Sequence, residues 1–305
     1  MATTRRSGRG ARRSAATPIP AILNPGSGSA ARARAALASD ARFRVRELEP
    51  ARIVGAVRAE ARRGTPRLLV CGGDGTLCAA IGAAAGTGME IAVFPGGTLN
   101  HFVRDLGLPL DDAAMVLDVA VNGTARSVDL GSVNGHPILN TSSVGVYVDF
   151  VRRRERHEQR MDYRPASVAA AVDVWRDPRA LDIDLRTADG AHHRLRTPLL
   201  FVGVHERVLD RAGLGTRRVN GARALQILVV NEHTPARVHA LAVKAAARGI
   251  EALIAEDEIE CHVTASAVVA TSRRTATIAV DGELLTVRSP MRYEFVPRAA
   301  EVVHG

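Results

Sequence analysis

The chain has 305 residues, enough for two domains that each bury a core. Its apolar share of 46% and charged share of 24% are ordinary for a globular protein, and one Trp with three Tyr argues against an aromatic platform for single-stranded nucleic acid. Five arginines in the Ser-, Gly- and Ala-rich segment 1–17 carry more than half of the net charge of +9. This composition predicts a disordered basic tail, and no specific nucleic-acid partner is expected.

Short apolar strands alternate with helical segments in the first part of the chain. The predicted strands are Ile19–Leu23, Phe43–Leu48, Leu68–Cys71 and Glu90–Phe94, and the predicted helices are Ser29–Ala38, Arg52–Arg63, Leu77–Ala85 and further helical segments from Asn100 to about Val121. This alternation predicts an α/β domain with a mainly parallel sheet and helices on both faces. Ligands of such sheets bind at the carboxyl ends of the strands.

After Asp129 the pattern becomes that of an antiparallel β-rich domain with inserted helices. The predicted strands are Leu181–Leu185, Leu199–Val204, Leu225–Val230, Ile259–Thr264, Thr275–Val280 and Met291–Val296, and the predicted helices are Ala166–Trp175 and Arg237–Ile250. The predicted fold class is therefore an α/β N-terminal domain followed by a sandwich-like, β-rich C-terminal domain.

Three glycine-rich turns follow strands of the first domain. They are Asn24-Pro25-Gly26-Ser27-Gly28, Gly72-Gly73-Asp74-Gly75-Thr76 and Pro95-Gly96-Gly97-Thr98-Leu99-Asn100. Glycines at a strand-to-helix turn let backbone N–H groups approach an anion, and a helix N-terminus favours negative charge. The chain has no P-loop string, its only lysine is Lys244, and it has no dinucleotide-binding fingerprint. The turns therefore predict phosphate binding by another arrangement.

Several polar residues have a structural interpretation beside a functional one. Asp74 suits a helix N-cap, although the surrounding glycines favour a functional role. Asp281-Gly282-Glu283 is equally typical of a hairpin turn and of a catalytic pair. Alternation with Leu and Ile makes Asp182 and Asp184 a solvated strand face rather than a paired-carboxylate site.

The histidines and cysteines show no metal-ligand spacing. The histidines His192, His193, His205 and His233 are expected in surface or loop positions. Cys71 and Cys78 are expected to be small buried hydrophobes, and the odd total of three cysteines argues against a disulfide framework or zinc site. This cysteine usage fits a cytoplasmic location.

The three turns, together with Asp281-Gly282-Glu283, resemble the diacylglycerol kinase catalytic family, which includes bacterial lipid kinases and the sphingosine and ceramide kinases. The segments Gly97-Thr98-Leu99-Asn100-His101-Phe102 and Arg104-Asp105-Leu106-Gly107-Leu108-Pro109 are similar to the bacterial lipid-kinase branch, and Val128–Gly131 and Asn140–Gly145 resemble further family positions. The resemblance implies an ATP-binding domain over 18–129, completed by a returning strand at about 291–298. It implies a lipid-substrate domain over 130–290, with the nucleotide in the cleft between the two.

The resemblance also implies cofactors and roles for individual residues. ATP and Mg²⁺ would be required, with Asp74, Asp129 and Asp281 around the Mg²⁺, directly or through water, and Glu283 as general base. The implied nucleotide-binding residues are Asn24, Pro25, Gly26, Ser27, Gly28, Gly72, Gly73, Asp74, Gly75, Thr76, Gly97, Thr98 and Asn100. These types suit phosphoryl transfer, which needs hydrogen-bond donors, a divalent cation and an acceptor for the hydroxyl proton.

The expected function is transfer of the ATP γ-phosphate to a hydroxyl of diacylglycerol or a similar lipid. The expected partners are ATP and a lipid at the cytoplasmic membrane surface, where the protein would bind peripherally and reversibly, and a homodimer is an open alternative. Two other functions stay open: a kinase of a soluble substrate, like NAD kinases, and a catalytically silent lipid- or nucleotide-binding module.

The chain departs from family patterns at four places. They are Leu77-Cys78-Ala79 after the second glycine turn, His101 after the third, Glu49-Pro50 after the second strand, and Asn220-Gly221-Ala222-Arg223-Ala224. Some bacterial members hold a structural Mg²⁺ at the last of these through an Asp-Asp-Gly loop. Because no carboxylate stands in this loop, that second metal site is not expected.

Overall fold

The computed structural model describes residues 17–305 except 98–99, 109–111, 177, 210–215 and 232–233. Most of the predicted tail (1–16) and the predicted site residue Thr98 therefore lie outside the described residues, as do Leu99, Pro109 and His233.

The N-terminal lobe consists of the elements from β1 to α5, in strict alternation of strand and helix until the last two helices. In chain order they are β1 (Ile19–Leu23), α1 (Ala30–Ala38), β2 (Phe43–Glu47), α2 (Pro50–Arg62), β3 (Arg67–Gly72), α3 (Asp74–Ala84), β4 (Glu90–Pro95), α4 (His101–Asp105) and α5 (Ala113–Asn122). The predicted elements of this part are confirmed to within a few residues. Pro50 begins α2, where a proline is favoured because its missing N–H would have no helical acceptor.

The C-terminal lobe contains the elements from β5 to β15, and the last strand, β16, joins the two lobes. The elements are β5 (Thr124–Val133), β6 (His136–Ile138), β7 (Thr141–Gly145), α6 (Val146–Glu158), α7 (Tyr163–Arg176), β8 (Leu181–Thr187), β9 (His192–Thr197), β10 (Leu199–Val204), β11 (Leu225–Val230), α8 (Pro235–Arg248), α9 (Ile250–Ala255), β12 (Ile259–Thr264), β13 (Ser266–Thr271), β14 (Thr275–Val280), β15 (Glu283–Arg288) and β16 (Met291–His304).

The strands form two sheets. The larger sheet has the order β2-β1-β3-β4-β16-β13-β8-β9, and β5 and β6 are attached to it beside β16. Strands β1 to β4 are mutually parallel, whereas the strands of the C-terminal lobe pair antiparallel. The smaller sheet, β12-β11-β10-β7-β14-β15, is antiparallel throughout. The predicted fold class is confirmed.

Three apolar clusters account for this arrangement. The alternate residues of β3 and β4 face opposite sides of the parallel sheet: Leu68 and Val70 pack with α2 and α3, and Leu69 and Cys71 pack with α1 and α5. Burial on both faces explains why these strands are continuous apolar runs. A third cluster fills the space between the two sheets of the C-terminal lobe, which makes that lobe a sandwich.

The returning strand differs from its predicted position. Residues 291–294 of β16 pair with β13, and β16 reaches β4 only at Glu301 and Val302, beyond the predicted 291–298. The reason is that β16 is one long strand whose pairing with β5 shifts between Val296 and Ala300, so it crosses from one lobe to the other. The predicted domain limits of 129 and 130 stay predictions.

Candidate active site

The three glycine-rich turns meet at the carboxyl edge of the parallel sheet. Ser29 Oγ donates to the Pro95 carbonyl at 2.7 Å, and the Gly96 N–H donates to the Gly72 carbonyl at 2.9 Å. Asn24 Nδ2 donates to Thr76 Oγ1 at 2.9 Å, which ties the first turn to the second. The sheet order predicts this meeting, because the strands before the turns, β1, β3 and β4, are adjacent.

Glycine is required where the turns touch each other. A Cβ on Gly96 would lie 2.7 Å from the Gly72 backbone, and one on Gly97 would lie 3.0 Å from the Gly73 Cα. Both positions would place a methyl group against main chain that cannot move aside. Glycine at these two positions therefore allows the turns to approach each other. It also leaves backbone, and no side chain of these residues, at the carboxyl edge of the sheet.

The two asparagines predicted to bind nucleotide also hold the turns in shape. Asn24 Oδ1 accepts from the Gly26 N–H at 2.9 Å. Asn100, in a left-handed conformation with φ 48°, accepts from the Gly97 N–H at 2.8 Å and donates to the Gly97 carbonyl at 2.7 Å. Asn24 and Asn100 are both buried. Their side chains shape the loops, and the surface that these loops offer to a ligand is largely backbone.

Helix α3 begins in the second turn, and no side chain caps its amino end. The first N–H groups of a helix have no helical acceptor, so this end is suited to an anion. Asp74 is the acidic residue of the first helical turn, and its Oδ1 accepts from the Phe102 N–H at 3.4 Å. That contact connects the second turn to α4, which follows the third turn.

Asp281 and Gly282 form the turn between β14 and β15. Their φ angles of 48° and 88° match the two left-handed central residues of a type I′ hairpin, so the hairpin interpretation of this motif holds. The carboxylate of Asp281 is not turned to solvent. It accepts from the Leu139 N–H at 2.8 Å, the Asn140 N–H at 2.7 Å and the Thr141 N–H at 2.9 Å. Burial raises the pKa of Asp281, and these hydrogen bonds oppose the rise.

Glu283 is the first residue of β15, and the hairpin carries it to the first turn of α3. The ideal position of a Cβ on Gly75 lies only 2.0 Å from Glu283 Oε1, so the carboxylate rests on the backbone of Gly75. None of the described residues donates a hydrogen bond to it. The residue is solvent-accessible, but the enclosing protein atoms, followed by the charges of Asp281 and Glu155, raise the pKa of Glu283.

The contact predicts that Gly75→Ala displaces Glu283 without disturbing the fold. The added methyl group would overlap the end of a flexible side chain and no main chain. If Glu283 is the base, we expect turnover to fall by about 100-fold, because misplacing a reacting group is costly. Steady-state kinetics and thermal melting measure the effect. Gly55→Ala in α2, where nothing lies within 4 Å of the added atom, is the control. Full activity in Gly75→Ala would contradict the assignment.

Asp129 occupies the junction between the lobes. Arg223 Nη2 donates to its Oδ1 at 2.7 Å, and the Arg298 N–H donates to the same oxygen at 2.8 Å. His205 Nε2 lies 3.4 Å from Asp129 Oδ2. Burial opposes ionisation, but the hydrogen bonds from Arg223 and Arg298 outweigh it and lower the pKa of Asp129. The structure brings Glu283 and Asp74 to the same glycine turn. Asp129 instead contacts Arg223, Arg298 and His205 at the lobe junction.

Two of these histidines are less exposed than a surface position would be. His205 lies in the loop after β10, as expected, but it is buried, and burial together with Arg217 lowers its pKa to about 4. His193 lies in β9 and is half-buried. Both differences arise from contacts with residues distant in sequence, which spacing along the chain does not reveal. Cys71 and Cys78 are buried free thiols, as expected.

Three arginines near the site were missed from the sequence. Arg154 Nη2 donates to the Gly282 carbonyl at 3.2 Å, and buried Arg207 donates to the Asn140 carbonyl at 3.1 Å. Arg223 is the partner of Asp129. Arg154 belongs to a run of arginines that is typical of a solvated helix, and nothing in the local pattern distinguishes it from its neighbours Arg152, Arg153, Arg156 and Arg160. Arg207 follows the end of β10, and its burial became apparent only in the structure.

The two-lobed arrangement agrees with solved structures. The fold aligns with a TM-score of 0.64 to a Bacillus anthracis structure described as a diacylglycerol kinase, covering 94% of this chain and 97% of that one at 17% identity. At this identity the likeness shows the fold alone.

The sequence comparisons add the family. Residues 18–133 match the family model of the diacylglycerol kinase catalytic domain. The chain is 33% identical over 123 residues to a diacylglycerol kinase of Mycobacterium tuberculosis, which covers 38% of this chain and 40% of that protein. It is 43% identical over 84 residues, 27% of each chain, to a "probable lipid kinase YegS-like" protein of Pseudomonas aeruginosa. The matches thus span less than half of these relatives. Over residues 18–133, the chain is therefore similar to the diacylglycerol kinase catalytic domain.

Proposed function

We propose that the protein is an ATP- and Mg²⁺-dependent lipid kinase that phosphorylates a hydroxyl of diacylglycerol or a similar lipid. The observation that carries the proposal is the contact of Glu283 with Gly75. It brings a carboxylate from the C-terminal lobe to the amino end of α3, in the glycine turn that is suited to phosphate. A general base and a phosphate site are then neighbours, as phosphoryl transfer to a hydroxyl requires.

In the proposed reaction, the glycine turns bind the nucleotide and Glu283 activates the acceptor. Backbone N–H groups of the glycine turns hold the phosphates of ATP, and Glu283 accepts the proton of the lipid hydroxyl. The hydroxyl oxygen bonds to the γ-phosphorus as the bond to the β-phosphate oxygen breaks, and ADP leaves with those electrons. The raised pKa of Glu283 suits a base that must take up a proton near neutral pH.

The acidic residues fit a magnesium ion to different degrees. Asp74 lies within the phosphate turn and is the residue that would hold Mg²⁺ there. Both oxygens of Asp281 accept backbone hydrogen bonds, and Asp129 is engaged by Arg223 and Arg298. These contacts favour positioning roles for Asp281 and Asp129. When bound, Mg²⁺ would neutralise charge on the transferring phosphates.

Helix α7 supports a membrane-associated substrate. Val168, Val172 and Trp175 are 66%, 45% and 44% exposed and, at i, i+4 and i+7, form one apolar stripe. Arg164 and Arg176 are exposed at the two ends of this helix. Such a surface suits the interface of an anionic bilayer. No helix within the described ranges has the length and apolar content needed to cross one.

The stripe predicts reversible, salt-sensitive membrane binding. We expect flotation with phosphatidylglycerol-containing vesicles at low salt and release at high salt, because the arginine contribution is screened. The double change Val168→Asp/Val172→Asp should weaken binding by at least about 10-fold, since each buried Val contributes about 1.5–3 kcal/mol. Val219→Asp, at a residue that is 86% exposed in a remote loop, should not. Equal flotation of both variants would contradict this role for α7.

ATP consumption with Mg²⁺ and mixed lipid micelles tests the function itself. Activity on diacylglycerol, monoacylglycerol, sphingosine or ceramide supports a lipid kinase and names the lipid class. Turnover with NAD alone would favour the soluble-substrate kinase. Nucleotide binding without turnover on any of these acceptors would favour the silent binding module.

A further inference from the structure

The sandwich has an edge where the two sheets of the C-terminal lobe approach each other. Strand β9 is the last strand of the larger sheet and β12 the last of the smaller one. Glu260 and His262 share a face of β12, and their partners in β11 are Val229 and Ile227 of the sandwich core. On β9, His193 shares its face with Leu195, which packs against the same core. Three polar residues therefore close the edge of an apolar interior.

Their ligating atoms converge. His193 Nδ1 lies 3.1 Å from Glu260 Oε2, and His262 Nε2 lies 3.4 Å from the same oxygen. One nitrogen or oxygen from each of the three residues lies within 4.8 Å of the others. The two imidazole rings are 5.1 Å apart between centroids. All three residues are half-buried.

These separations are close to those of a tetrahedral zinc site. Zinc lies about 2.0–2.2 Å from His nitrogen and carboxylate oxygen, so two ligand atoms of one tetrahedron are roughly 3.3 Å apart. Both contacts to Glu260 already have this spacing, and the pair of histidine nitrogens, which lie within the 4.8 Å limit, has to close by at most about 1.5 Å. Rotation of half-exposed side chains can supply such a movement.

We propose that His193, Glu260 and His262 bind one Zn²⁺ ion, with water as the fourth ligand, and that the ion fastens β9 to β12. Two imidazoles and one carboxylate match the ligand preference of zinc. Zinc binds histidines as neutral ligands, so binding is expected to weaken at acid pH. The site is remote in sequence from the glycine turns and independent of the proposed lipid-kinase function.

The test measures metal and not activity. The full chain is stripped with EDTA, reloaded with ZnCl₂, passed through gel filtration and analysed for metal content. Isothermal titration gives the affinity, and Co²⁺ substitution gives a visible spectrum that reports tetrahedral geometry. We expect one Zn²⁺ per chain and a rise in Tm of roughly 5 °C at 100-fold excess over Kd.

The variants identify the ligands. His193→Ala and Glu260→Gln should weaken zinc binding by at least about 100-fold, the second with little change in side-chain volume. His192→Ala is the matched control, because this neighbouring histidine lies on the other face of β9 and contacts Asp184. Circular dichroism in EDTA establishes that each variant is folded. Absence of retained zinc in the wild-type chain would leave only an ion pair and overturn the proposal. Equal binding by wild type and His193→Ala, or equal loss in His192→Ala, would overturn it too.

Discussion

Glu283→Gln is expected to lower turnover by about 100- to 10,000-fold while nucleotide binding persists, because in the proposed reaction glutamine cannot accept the proton of the lipid hydroxyl. The substitution nearly preserves volume, and none of the described residues donates a hydrogen bond to the carboxylate, so Tm should change little. Turnover with lipid micelles and titration with Mg·ATP measure the two effects separately. Turnover of Glu283→Gln near the wild-type value would contradict the role of Glu283 as general base.

The pH dependence provides a second measurement on the same residue. Burial, Asp281 and Glu155 raise the pKa of Glu283, in that order. A base works only when deprotonated, so the rate should fall as pH decreases through this raised pKa. Glu155→Gln removes one negative charge, so the decrease in rate on the acidic side of the pH–rate profile (the acid limb) should move to lower pH. The plateau rate at higher pH should not change. An unmoved limb would contradict the electrostatic coupling of these two carboxylates.

Asp74→Asn should impair both nucleotide binding and turnover, whereas Glu283→Gln should impair turnover alone. The carboxylate of Asp74 lies in the glycine turn 72–76, the proposed phosphate site, and would help to hold Mg²⁺. Its loss should therefore weaken metal-dependent nucleotide binding as well as turnover. Excess Mg²⁺ should restore part of the activity of Asp74→Asn and none of that of Glu283→Gln. Equal behaviour of the two variants in the Mg²⁺ titration would argue against separate roles.

Asp281→Asn is expected to destabilise the protein before it affects any metal. An amide has one oxygen and must turn its NH₂ group toward one of the three backbone donors at residues 139–141. A lost charged hydrogen bond and an unpaired buried donor cost about 2–4 kcal/mol together. That cost corresponds to a fall in Tm of roughly 5–12 °C.

The melting experiment is done without nucleotide or Mg²⁺. A metal ligand would leave the melting temperature unchanged in this state and would change only the Mg²⁺ requirement. Asp182→Asn, at an exposed position of β8, is the matched control and should melt like the wild type. An unchanged Tm for Asp281→Asn, together with a higher Mg²⁺ requirement, would indicate that Asp281 is a metal ligand.

The N-terminal lobe was predictable from sequence because its determinants are local. Buried parallel strands such as β3 must be apolar on both faces, and a turn that approaches another backbone must be glycine, so both leave a continuous signature. The meeting of the three turns followed from the same alternation. The strands of the sandwich gave weaker signals. Strands β5, β6, β7, β9, β13 and β15 were missed, because partly exposed strands with polar residues lack the continuous apolar run of a fully buried strand.

The roles of the carboxylates depended on tertiary structure. Asp-Gly-Glu predicted a hairpin and a catalytic pair equally well, since an identical turn can face solvent or protein. Folding brings the Leu139 N–H, 142 positions away, onto Asp281, and brings Arg223, 94 positions away, onto Asp129. It also brings His193 beside Glu260 across two sheets. Sequence alone therefore determined the strands of the N-terminal lobe, the glycine turns and the family resemblance. Only the tertiary structure decided which donors surround each acid, because a carboxylate's pKa and free oxygens depend on neighbours that pairing between distant segments supplies.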